Sequence, residues 1–243
     1  MGLTDHSGDA LSNVAGWWGP ELAVYLPDYR SVYIEIPKVA CSSIKMMLAG
    51  LLQLEVPDHN PHLAEYPAPP FRRAGTGPFY PGCFTFAFVR NPWDRIVSCY
   101  RDKVLLEVEG YTRSSIRPGL ADCLAHYDTI QPGMPFDAFV EAVHGIPDEA
   151  SDFHFRSQHT FVCHPDGEIA VDYLGRYENF TDDLSRVVAK LKLPRQDVPM
   201  LQSAPVIADF RNYYSKTSWD LVADRFANDI KLFGYVSDFS TGT

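Results

Sequence analysis

The stretch SVYIEIPKVACSSIKMMLAGLL, residues 31–52, decides the fold. Ser31 to Ile36 is a short run rich in β-branched and aromatic side chains, and Pro37 ends it. Ile44, Met47, Leu48, Leu51 and Leu52 then fall at i, i+3, i+4, i+7 and i+8, the apolar stripe of an amphipathic helix. The chain therefore reads strand, tight loop, helix. The order recurs further on: FTFAFV, residues 84–89, is nearly continuously apolar, as a strand buried on both faces would be, and Asn91-Pro92 breaks it. Trp93, Ile96, Val97, Tyr100 and Val104 trace one helical face, with Pro92 at a tolerated first-turn position. Two such units in succession predict an α/β fold with a parallel sheet.

Around these units the signals are sparser. A third strand is expected at Ile169 to Tyr173, and helices at Phe136 to Val143, Asp182 to Leu191 and Ser218 to Phe233, the last opened by a capping box Thr217-x-x-Asp220. The 243 residues show no internal repeat, so one domain over 1–243 is expected, with 1–30 as an N-terminal extension and a Pro-rich irregular loop at 56–82. Trp17, Trp18, Tyr25 and Tyr29 form an aromatic patch better suited to stapling the N-terminus to the core than to stacking on sugars.

Composition narrows the partners. Lys and Arg number 21 against 31 Asp and Glu, a formal charge of −10 that opposes binding to duplex phosphate or anionic membrane. No run approaches the roughly 18 apolar residues of a membrane span, and the first twenty residues carry Asp5 and Asp9 but no Lys or Arg, unlike a secretory signal. His6 stands where a myristoylation pattern wants Ser or Thr. Five cysteines (41, 83, 99, 123, 163) without CxxC pairs suit reduced thiols, and a cytoplasmic location is expected.

Pro37-Lys38-Val39-Ala40-Cys41-Ser42-Ser43 lies between the carboxyl end of a strand and the start of a helix, where open α/β sheets bind ligands. First-turn amides, the helix dipole, one Lys and two hydroxyls converge there as an anion cradle. The bland alternative is that Ser42 merely caps the helix and Lys38 is solvated. A nucleotide-hydrolysing P-loop is a poor fit, since the loop has no glycine and its Lys precedes the turn. A cysteine phosphatase would need an Arg soon after Cys41, and none follows before Met47. In the second unit, Arg90 ends the strand and Ser98 lies one turn beyond Asp94, which suggests a second anion site. From Lys38 to Lys103 there are eight Lys and Arg and five Asp and Glu, a local surplus of positive charge in an acidic chain.

These residues resemble a family. Ile36 to Lys45 is similar to the 5′-phosphosulfate loop, and Phe88 to Lys103 (FVRNPWDRIVSCYRDK) to the 3′-phosphate element, of sulfotransferases that use 3′-phosphoadenosine 5′-phosphosulfate (PAPS). The resemblance is closest to the carbohydrate branch, the Golgi chondroitin and dermatan enzymes and their soluble bacterial relatives. Asp152-Phe153-His154-Phe155-Arg156-Ser157-Gln158, Gly175 to Phe180, Tyr213-Tyr214-Ser215, Asp229 and Phe233-Gly234-Tyr235 agree with it in order.

The resemblance implies a P-loop-like, three-layer α/β/α fold with a central, mostly parallel sheet. It implies PAPS as donor, adenosine 3′,5′-bisphosphate as product and no required metal. It places Pro37, Lys38, Val39, Ala40, Cys41, Ser42 and Ser43 on the 5′-phosphosulfate, Arg90 and Ser98 on the 3′-phosphate, and Tyr177 near the nucleotide. The acceptor class it implies is a sugar hydroxyl of a glycan or glycolipid, and the acidic chain favours a neutral or weakly charged one.

Sulfuryl transfer asks for in-line positioning and charge neutralisation, for which Lys38 and backbone amides suffice. The acceptor hydroxyl also needs a base. His154, in the family's histidine motif with Asp152 to orient it, is the first candidate, and His159 is the runner-up. A metal reading of His159-x-x-x-Cys163-His164 lacks ligands at suitable spacing. Two other classes stay open: a catalytically silent nucleotide- or glycan-binding module, and an atypical P-loop kinase.

Overall fold

The structure, a computed structural model, describes residues 22–69, 78–105, 107–108, 111–112, 128–193 and 209–239. Four strands make the main sheet, in spatial order β1 (Ala23–Leu26), β2 (Ser31–Ile34), β3 (Phe84–Val89) and β4 (Tyr173–Arg176). β1 is antiparallel to β2, and β2, β3 and β4 run parallel. The α/β class and the mostly parallel sheet are thus as the sequence predicts.

The helices are α1 (Cys41–Leu51), α2 (Pro92–Lys103), α3 (Phe136–His144), the single turn α4 (His159–Val162), α5 (Phe180–Leu191), α6 (Lys216–Arg225) and α7 (Ala227–Phe233). The sheet gathers one apolar core with α1, α5 and the end of α7, including Tyr33, Ile44, Phe88 and Leu184. A second core contains no strand residue: Trp93 of α2 stacks on Trp219 of α6 at 4.6 Å between ring centroids, and Phe139, Val143, Phe155 and Phe226 close around them. The indole N–H of Trp93 donates to Trp219 O, and Tyr214 Oη donates to Trp93 O, so these buried rings keep their polar atoms satisfied.

Several expectations need correction. The third strand is Tyr173–Arg176, not Ile169 to Tyr173. Asp172 fixes where pairing begins: its Oδ2 accepts from the Thr85 amide at 2.7 Å and the Thr85 hydroxyl at 2.8 Å, whereas Ile169 only bridges back to Cys163. The helix expected at Ser218 to Phe233 is two helices, because Phe226 leaves helical geometry while its ring stays buried. Its N-cap is Ser215, in a reciprocal capping box with Ser218, and not Thr217. Residues 23–30 are no extension: β1 and a 3₁₀ turn, Pro27–Tyr29, form the sheet edge, with Tyr25 and Tyr29 packed on the core. Short β1 carries no alternation long enough to announce a strand. Trp17 and Trp18 lie outside the described residues. The Pro-rich stretch also holds order, with 3₁₀ turns at Pro57–His59 and Pro61–Leu63 and buried Phe79 and Tyr80.

Gly175 of β4 sits over the Phe88 ring: a Cβ there would lie 2.5 Å from Cε1 and 2.7 Å from Cδ1 of a fully buried side chain. Gly175→Ala is therefore expected to destabilise the sheet by about 1–3 kcal/mol, read as a lower urea midpoint at unchanged slope.

Candidate active site

Three segments meet at the carboxyl ends of the three parallel strands: the loop after β2, Arg90 after β3 and Tyr177 after β4. Adjacent parallel strands deliver their following residues to one edge, where α/β sheets bind ligands.

The loop after β2 is held in an unusual backbone. Lys38 (φ 71°) and Ala40 (φ 63°) both occupy the left-handed region without being glycine, conformations that persist only where surroundings enforce them. Ala40 is the N-cap of α1, and no side chain caps that first turn. Ser42, the cap of the bland reading, instead places its Oγ 2.8 Å from Nε2 of His62. Lys38 is not solvated: its side chain is 11% exposed and Nζ donates to Asp102 Oδ2 at 3.0 Å. Lys103 reaches the same oxygen at 2.8 Å. Burial would raise the Asp102 pKa, but the two ammonium groups more than reverse that and hold the carboxyl well below the usual range.

α2 is capped differently. Asn91 Oδ1 accepts from the amides of Trp93 and Asp94, so two amides of its first turn are satisfied internally. Arg90, 9% exposed, makes a side-on pair with Asp94 (2.7 and 2.8 Å) and donates from Nη1 to the Lys38 carbonyl at 3.0 Å. Three of its five N–H groups are thereby engaged, and two have no partner among the described residues. Its guanidinium lies 4.0 Å over the centre of the Tyr177 ring. Ser98 is partly exposed on the same helix, its hydroxyl unbonded to any described residue.

Arg95 fastens the loop from beneath. At 1% exposure it donates to three main-chain carbonyls: Pro37 at 3.0 Å, Arg156 at 2.7 Å and Phe153 at 3.1 Å. Burial lowers its pKa to about 10, which leaves it charged at neutral pH. Sequence reasoning missed this role, since nothing in the α2 stripe marks position 95 as interior.

The Phe153–Arg156 bend carries His154. Asp152 Oδ1 accepts both the His154 amide, at 2.8 Å, and its Nδ1, at 2.7 Å, so a turn brings these i, i+2 neighbours together. With Nδ1–H committed to the carboxylate, Nε2 keeps its lone pair. Burial lowers the His154 pKa, and the Lys103 and Lys38 ammonium groups lower it further against the opposing pull of Asp152. His159 is placed otherwise. Its Nδ1 meets Asp229 Oδ1 at 2.7 Å, and the Asp229 bond outweighs desolvation and raises its pKa. Fully buried Asp229 also accepts the Gln158 and His159 amides, and the Gln158 carboxamide pairs both ways with the Arg90 main chain. His159 therefore belongs to the framework that holds Arg90. Cys163 and His164 do not join it: Cys163 bridges to Ile169 and His164 packs edge-on to Phe79.

The sequence also gave no notice of a buried group beside the loop. Glu35 accepts from Lys45 Nζ at 3.0 Å and pairs with His62 Nδ1 at 3.3 Å, with Cys41 adjacent. Desolvation would raise the Glu35 pKa, but the His62 bond and the Lys45 charge bring it down to about 2. Glu35, Cys41 and His62 are residue types that can hold a metal, yet the carboxylate here is already matched by two cationic partners.

Sheet, cationic turns and oriented imidazole define an α/β protein with Lys38, Arg90 and Tyr177 gathered at one sheet edge and His154 held on a bend anchored to α2. Residues 22–236 match the family model described as sulfotransferase family, and the chain belongs to that family. Among similar proteins, carbohydrate sulfotransferase 14 of Danio rerio is 27% identical over 233 residues, 88% of this chain and 59% of that protein. Carbohydrate sulfotransferase 11 of Danio rerio is 28% identical over 186 residues, 66% and 50% respectively. Carbohydrate sulfotransferase 10 of Homo sapiens is 27% identical over 172 residues, 63% and 47%. The chain thus spans about half to three fifths of the length of these relatives. No solved structure matches it. Among the described residues no helix is long and apolar enough to cross a membrane.

Replacing Arg95 by Met would leave three inward carbonyls without a donor. The variant is expected to lose about 3 kcal/mol or more of stability in chemical denaturation, far beyond the effect of an exposed Arg such as Arg186.

Proposed function

We propose that the protein transfers a sulfuryl group from PAPS to a hydroxyl of a carbohydrate acceptor. The observation that carries this is the junction of Arg90 with the Lys38 carbonyl, which sets two cationic turns side by side at one sheet edge. Two anion-holding turns so close suit a ligand with negative charge at both ends of one nucleoside, and the family is one of sulfotransferases.

PAPS supplies an activated sulfuryl group on a phosphate leaving group. On this assignment Lys38 and the amides of the 40–43 turn neutralise the 5′-phosphosulfate, and Lys38 exchanges the Asp102 carboxylate for the developing negative charge of the leaving phosphate. Arg90 offers its two remaining N–H groups, and Ser98 its hydroxyl, to the 3′-phosphate. Asp94 and the Tyr177 ring keep the guanidinium from turning away. Nε2 of His154 accepts the proton of the attacking hydroxyl, and Asp152 steadies the imidazolium that results. No step requires a metal, because the charge to be stabilised falls on side chains and amides already in place. The acceptor is a glycan or glycolipid hydroxyl, by analogy with relatives named as carbohydrate sulfotransferases.

Adenosine 3′,5′-bisphosphate is expected to raise the melting temperature where ATP does not, and Arg90→Ala to abolish the shift. A shift with ATP and Mg²⁺ instead would favour a kinase. Transfer of labelled sulfate to a glycan should fall at least about 100-fold in His154→Ala while the bisphosphate still binds. Bisphosphate binding with no transfer to any glycan by the unaltered chain would favour a silent module. Because the His154 pKa is lowered, the acid limb of kcat against pH should have its midpoint below the ordinary histidine value of about 6.5 and rise with pH as the ring loses its proton.

A further inference from the structure

His62 stands in the Pro-rich segment after α1, in a part of the chain to which no role has yet been given, and its ring touches the phosphosulfate loop. Nδ1 lies 3.3 Å from Glu35 Oε1 and Nε2 lies 2.8 Å from Ser42 Oγ. The segment is pinned to α1 by Tyr66, whose hydroxyl is within bonding distance of the carbonyls of Lys45 and Pro61 at 2.8 and 3.0 Å. Asn60 Oδ1 accepts the His62 amide. A carboxylate, an imidazole and a serine hydroxyl thus stand in line, and the hydroxyl belongs to the first turn of α1.

The direction of the Ser42 proton follows from the charge on the ring. An imidazolium donates from both nitrogens, one to Glu35 and one to Ser42 Oγ, so the hydroxyl proton is free for another acceptor. A neutral ring with its proton on Nδ1 would take the hydroxyl proton at Nε2 and turn it from the loop.

We propose that His62 is a positioning residue of the 5′-phosphosulfate loop: clamped by Glu35, its imidazolium donates to Ser42 Oγ and so aims the Ser42 hydroxyl at the donor's 5′ anion. This rests on the PAPS assignment above and deepens it. The groups facing the ring are Glu35 after β2, with Tyr33 of β2 beside it, Cys41, Ser42 and Lys45 of α1, and Tyr66 of its own segment. Burial pushes the imidazole down, but its bonds to Cys41 and Glu35 outweigh that and lift it to about 9. The ring is therefore charged at neutral pH and loses its Nε2 proton as pH rises through about 9, after which the Ser42 hydroxyl turns to donate to Nε2.

Calorimetric titration of adenosine 3′,5′-bisphosphate into the full chain from pH 7 to 10 tests this. The unaltered protein should bind with an affinity that falls as pH passes about 9. Ser42→Ala should weaken binding about tenfold at pH 7.5 and flatten that fall. His62→Gln should weaken it comparably and remove the fall. Combined with Ser42→Ala, it should add no more than about twofold, since the two act through one bond. Full affinity in a folded His62→Gln, additive losses in the double variant, or an undiminished fall in Ser42→Ala would overturn the assignment while leaving the donor intact. Ser42→Ala and the unaltered protein carry the test if His62→Gln does not fold. No bisphosphate binding by the unaltered chain would overturn the donor assignment and this inference with it.

Discussion

The guanidinium of Arg95, withdrawn from water and bonded only to main-chain oxygens, is the constraint on which the site depends. A buried cation is tolerated only when its donors are met, and here they are met by carbonyls from two separated segments, at Pro37 and at Phe153 and Arg156. Those segments carry Lys38 and His154. Because a planar fork accepts only one arrangement of acceptors, satisfying Arg95 sets where the loop after β2 and the histidine bend stand with respect to α2. Arg90, five residues earlier, repeats the device on the outer side with the Lys38 carbonyl. The left-handed backbone at Lys38 and Ala40 is sustained by this anchoring.

Charge is distributed in keeping with that frame. Each cation near the turns is already met: Lys38 and Lys103 by Asp102, Arg90 by Asp94, Lys45 by Glu35. Buried cations left unmatched would cost stability. Holding each of them on a carboxylate keeps the side chain in one place.

The two strand-loop-helix units were legible because their signals are local: a β-branched or apolar run, a Pro, and a 3.6-residue stripe. The match of FTFAFV to β3, residue for residue, shows how strong such a signal is for a strand buried on both faces. β4 was displaced because its start is set by Asp172 on Thr85, a contact across 87 residues, and because Gly175 and Arg176 lack the apolar character of a strand. The positions of Lys38, Arg90 and His154 could be proposed from motifs. Arg95, Gln158 and Asp229 fall within the family-like segments, but their parts, like that of Glu35, could not be read there, since they consist of tertiary partners. Nor could the contrast between the two histidines: both have a carboxylate at 2.7 Å, and they differ in what else surrounds them, the Lys103 and Lys38 ammonium groups at His154, Asp148 and Arg225 at His159.

The two apolar cores meet at the site. Ile36 and Val39, on either side of Lys38, are seated in the sheet core. Of the residues flanking His154, Phe155 is seated among the rings of the helical core with Trp93 and Trp219, while Phe153, its ring 4.4 Å from the imidazole, packs against the sheet core. The His154 bend is thus a seam held by both cores, whereas the residues flanking Lys38 rest on the sheet core. A slight shear between the cores would therefore be felt first at His154, while Lys38 kept its setting.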